Sequence, residues 1–239
     1  MDKRNKNKNL AIVRIMMFLV LVLATTSTQA ARSVREMMKN EVTDVSSLQT
    51  FYTKHNSAYE RRYFLQYLPV YLEKFGVSEL PSWITNALDD ALNSEYVPLS
   101  IAAIKSIGTL KLDSFSDKLT QGFIASEQEV YLSLSYRIAV LEAFKQFNDS
   151  DKIRSNLSQL LQNFPQGRIF DPDFTLLMEV TIRFGAEENA QLLSKYETRI
   201  DTMLDRQIPG ERRNPDLDRI KELIERTKRS LALKGGQDE

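Results

Sequence analysis

The chain has 239 residues, balances 32 basic against 32 acidic side chains and contains no cysteine. That balance argues against non-specific nucleic-acid binding, which needs a basic footprint. The missing cysteines exclude a disulfide framework, and with a single histidine, His55, they exclude a zinc site of the usual His/Cys kind.

The N-terminal segment has the three-part order of a secretory signal. Lys3, Arg4, Lys6, Lys8 and Arg14 stand against one acid, Asp2. An apolar run follows from Ile15 to Ala24, and Thr28-Gln29-Ala30-Ala31 supplies small residues for cleavage. The run is too short for a spanning helix, which needs about 20 apolar residues. This predicts a signal peptide over 1–30, cut between Ala30 and Ala31, with no lipid-bearing cysteine and no integral membrane segment afterwards. Without residues 1–30 the chain carries 27 basic and 31 acidic residues, an ordinary solubilising charge. Export without cysteines points to a periplasmic or secreted protein, bacterial rather than eukaryotic, stabilised by packing alone.

Residues 31–40 read as a flexible N-terminus. From there to residue 234 helical periodicity dominates and strand patterns are absent, so the predicted fold is all-α. Tyr59, Tyr63, Phe64, Tyr67 and Tyr71 share one face of an early helix. Ile84, Ala87, Leu88, Ala91 and Leu92 form a second stripe. Val130, Tyr131, Leu134, Ile138, Leu141, Phe144 and Phe147 form a third. Ile153, Leu157, Leu160, Leu161 and Phe164 form a fourth, and Phe174, Leu177, Met178, Thr181 and Ile182 a fifth. Asp171-Pro172-Asp173 and Asn214-Pro215-Asp216 each place a capping residue before a proline suited to the first helical position. Gly76 and Gly185 follow apolar runs where a left-handed glycine is expected. The breaks between stripes are short, as between antiparallel neighbours. Residues 235–239 read as a disordered tail.

Four segments end alike, with bulky apolar residues at Phe75, Ile107, Phe144 and Phe184, spaced 32, 37 and 40 apart. Two-helix repeats have periods of this order. The segment from Val97 to Gly108, followed by Asp113 and Leu119, resembles the second helix of a HEAT unit running into the next first helix. Tyr136 to Phe144 is similar but lacks a closing glycine. The resemblance spans roughly residues 60–205. It implies an α-solenoid of about four to five antiparallel helix pairs. The aspartate and arginine that a HEAT ladder places at fixed positions do not recur regularly here, so another helical repeat or a non-repeating bundle stays open. Leu217, Ile220, Ile224, Thr227 and Leu231 then mark a C-terminal helix. It serves either as the cap of the array or as a seam for a partner helix.

No catalytic constellation, cofactor loop or metal set is legible. His55 lies near a predicted helix end, Asp89-Asp90 and Glu187-Glu188 diverge around their helices, and helix capping accounts for Asp171 and Asp173. The predicted role is therefore a scaffold that binds another protein in the periplasm or envelope, with no cofactor. The candidate contact residues are Tyr59, Tyr63 and Tyr67, with Lys105, Arg137 and Arg183 on the presumed second helices. The alternatives are a helical hydrolase or lyase acting on envelope polysaccharide, and a structural subunit joined through its C-terminal helix.

Overall fold

The computed structural model describes residues 33–126, 132–148, 150–206 and 214–235, and every regular element among them is helical. The expected cleavage site Ala30–Ala31 and residues 236–239 lie outside the described residues. A helix, α1, covers 33–41 and buries Val34 and Met38. There follow α2 (Val45–Lys54), α3 (Ala58–Lys74), α4 (Ser82–Leu92), α5 (Val97–Thr109), α6 (Ser116–Ala125), α7 (Leu132–Phe144), α8 (Ser150–Asn163), α9 (Pro172–Phe184), α10 (Glu187–Asp205) and α11 (Pro215–Gly235). The chain divides into two compact units, the boundary falling after Trp83 near the start of α4.

In the first unit, local chemistry sets the helix ends. Asp44 accepts from the Ser47 N–H at 2.8 Å while Ser47 Oγ accepts from the Asp44 N–H at 2.9 Å, a reciprocal cap for α2. Ser57 caps α3 by accepting from the Glu60 N–H at 3.2 Å. At the other end Gly76 takes φ +63°, and Val77 N–H reaches back to the Leu72 carbonyl at 3.0 Å. This is the left-handed glycine the sequence predicts. Leu48, Phe51, Phe64, Leu65 and Leu68 are almost fully buried. The Trp83 ring lies 6.0 Å from Tyr52 and 6.4 Å from Phe64.

In the second unit each helix packs on the next but one. One series of contacts runs α5–α7–α9–α11, a second runs α6–α8–α10, and α6 with α7, α8 with α9 and α10 with α11 join the two. Phe123, Phe164, Phe174 and Tyr196 meet between α6, α8, α9 and α10, with neighbouring ring centroids 5.1–6.4 Å apart. The buried Tyr196 hydroxyl donates to the Leu161 carbonyl at 2.6 Å, so its polar atom is satisfied. The predicted α8 stripe is buried throughout. That of α7 is not: Leu134 and Ile138 are half-exposed, while Arg137, Val140 and Ala143 are buried, and Val130 and Tyr131 lie outside the described residues. A helix contacted by α5, α6 and α9 is covered on several sides, and a single stripe no longer describes it.

Gly185 is extended (φ −65°, ψ 159°), not left-handed as expected. Its requirement is steric. A Cβ there would stand 2.5 Å from the Thr181 carbonyl oxygen and 2.8 Å from Leu231 of α11.

Candidate functional site

The aromatic face of α3 is a mixture of core and margin. Tyr63 and Tyr71 are buried, whereas Tyr59 and Tyr67 are half-buried. Tyr59 meets Tyr63 edge-on with centroids 5.0 Å apart. Cations overlie the rings: Arg62 on Tyr63 at 5.1 Å, Arg61 on Tyr52 at 4.6 Å, Lys74 on Tyr71 at 5.4 Å and Arg35 of α1 on Tyr67 at 5.9 Å. Each such contact contributes about 0.5–1 kcal/mol where solvent reaches it. Burial pushes the Tyr71 hydroxyl above its ordinary pKa, which keeps it protonated. Of the three tyrosines predicted as contacts, Tyr63 offers least of its ring to solvent.

The three basic candidates of the second unit part company. Lys105 is exposed on α5. Arg183, also exposed, turns its guanidinium to the Lys145 carbonyl at the end of α7 and covers the Phe184 ring at 4.8 Å. Arg137 is in the interior, 1 % exposed, with Nε donating to Asp173 Oδ2 at 2.5 Å. An arginine in that position is withdrawn from any surface contact. Asp173, which capping was expected to explain, is its fully buried partner. Burial raises the Asp173 carboxyl above the ordinary carboxylate value despite the opposing guanidinium.

Sequence reasoning missed a set of polar links between alternate helices. Lys118 of α6 binds Asp89 of α4 at 2.5 Å, Asn156 of α8 donates to Asp117 of α6 at 2.9 Å, and Asn189 of α10 donates to Ser158 of α8 at 2.8 Å. In the other series Lys145 of α7 binds Glu179 of α9 at 2.9 Å. Helix C-termini are served the same way. Lys195 of α10 donates to the Gln162 carbonyl at the end of α8 at 2.6 Å, and Lys234 of α11 donates to the Ile182 and Arg183 carbonyls that end α9, at 2.7 and 2.8 Å. A cation there meets the negative end of the dipole. The signal was present as acids and cations spaced 29 and 34 residues apart.

Among the described residues no group of three or more His, Cys, Asp or Glu side chains is disposed to hold a metal ion, and no helix is long and apolar enough to cross a membrane. Comparison with family models, curated protein sequences and solved structures finds no match to this chain.

Proposed function

We propose that the second unit is a HEAT-like α-solenoid of antiparallel helix pairs and that the exported chain acts as a scaffold binding another protein in the periplasm or envelope. The observation that carries this reading is the packing of each helix on the next but one in two series. Such packing is what stacked two-helix units produce, with α6–α7, α8–α9 and α10–α11 as units and α5, α7, α9 and α11 as second helices. The cross-helix links support it, because they join each helix to the next but one. Solenoids expose an extended surface and generally work by binding, although fold alone does not fix function. Lys105 and the half-buried pair Tyr59 and Tyr67 remain the contact residues of choice, since tyrosine is enriched in interface anchors.

The test is affinity capture with residues 31–239 as bait in the chain's own envelope fraction. A protein partner is expected, retained by the native chain and weakened by Tyr67→Ala or Lys105→Glu in variants with unchanged thermal melting. Recovery of no protein, together with glycan binding by the purified chain, overturns the reading.

A further inference from the structure

The junction of α1, α2 and α3 sets the only histidine of the chain between two carboxylates. His55 ends α2, with its backbone N–H donating to the Phe51 carbonyl at 2.9 Å and its ring centroid 4.2 Å from that of Phe51. Its side chain is 12 % exposed. Nδ1 lies 3.1 Å from Glu60 Oε1 in the first turn of α3, and Nε2 lies 3.6 Å from Glu41 Oε2 at the end of α1. Lys54 of α2 holds the same Glu41 oxygen at 2.8 Å, and the Ser57 hydroxyl donates to Glu60 Oε2 at 2.5 Å. Arg61, the other charged residue near the start of α3, overlies the Tyr52 ring.

A neutral imidazole has one N–H and one lone pair, so in either tautomer one nitrogen turns a lone pair toward a carboxylate. The orphan is Nε2, buried without a hydrogen-bond partner. An imidazolium has two N–H groups, and each would then face an anion. The geometry therefore complements the charged ring.

We propose that His55 is a proton-operated latch that fastens α1 to α2 and α3 when its ring is charged and loosens α1 when the ring is neutral. The anions that hold the ring are available early. The Lys54 ammonium keeps the Glu41 carboxyl below its usual range, and the Ser57 hydroxyl, followed by His55, does the same for Glu60. Depressed carboxyl pKa values give a contribution that is present above the unfolded value and lost as pH falls. A charged imidazole gives one that is lost as pH rises. Adding a proton to the ring therefore completes an ion pair with each carboxylate, and removing it breaks both. The Lys54–Glu41 ion pair does not pass through the ring, so opening is partial. Because α1 carries the Arg35 that overlies Tyr67, opening uncovers that ring. This consequence for recognition rests on the proposed function, whereas the latch itself does not.

Amide hydrogen exchange of residues 33–41 in the full chain, corrected for intrinsic rates, reads the latch directly. Protection of α1 is expected to be lower at about pH 8 than at about pH 5.5. In His55→Gln and in Glu41→Gln that pH dependence is expected to vanish. Glu41→Gln alters an exposed side chain and decides the matter if His55→Gln fails to fold. Protection that does not change with pH in the native chain, or that changes equally in Glu41→Gln, overturns the latch whatever partner capture shows.

Discussion

At the scale of single residues the Arg137–Asp173 pair has the largest consequences. Both side chains are out of contact with water, and Arg137 Nη1 and Asp173 Oδ1 have no hydrogen-bond partner. Desolvation therefore offsets much of their attraction. Arg137→Ala leaves a buried carboxylate alone and should cost about 3–5 kcal/mol in urea unfolding, whereas Arg137→Met combined with Asp173→Leu should be neutral or stabilising. A double replacement as damaging as the single one would mean the pair is a net source of stability. Nothing local in the sequence marks this pair, since an arginine in a helix and an aspartate beside a proline each have a commoner surface explanation. The identities of the two residues were legible but their distance was not, because it depends on how α7 meets α9. The left-handed turn at Gly76 was legible for the opposite reason: its cause lies within five residues.

Elements were read best where one face is buried. The α8 stripe and the α11 stripe are both covered, the latter with Leu217, Ile220, Ile224, Thr227 and Leu231 each no more than 3 % exposed. Helix α11 packs on α10 and α9, and Lys221 and Lys228 bind Asp201 and Glu197 of α10, each at 2.7 Å. The seam that a partner helix would need is therefore occupied from within the chain. The α7 stripe misled because three neighbours share that helix, and α1 was passed over because a short helix with only Val34 and Met38 to bury gives little periodicity. Gly185 shows how tightly α11 is set against the end of α9. Gly185→Ala pushes a methyl group into the Thr181 carbonyl and Leu231, and should destabilise by about 1–3 kcal/mol. Loss of less than half that in thermal or urea melting would show that the contact yields easily.

Across the second unit the decisive property is that each helix reaches only its neighbours in two series. Repeat periods near 35 residues hinted at this, but the hint was diluted by unequal loops: α9 and α10 are separated by two residues, α8 and α9 by eight. In the proposed solenoid, stability would be a sum of unit and interface terms, so helices with neighbours on both sides would open at higher free energy than those at an end. Native-state hydrogen exchange should then give a gradient, with α7, α8 and α9 protected most and α11 least, even though α11 buries its whole apolar stripe. Phe164→Ala, which removes a ring shared by α6, α8, α9 and α10, should cost about 3–5 kcal/mol and lower protection on both sides of α8. Ile224→Ala should lower it chiefly in α11 and α10. A single opening free energy common to α5 through α11, reduced uniformly by either substitution, would instead mark one cooperative bundle and remove the physical basis for a repeat scaffold.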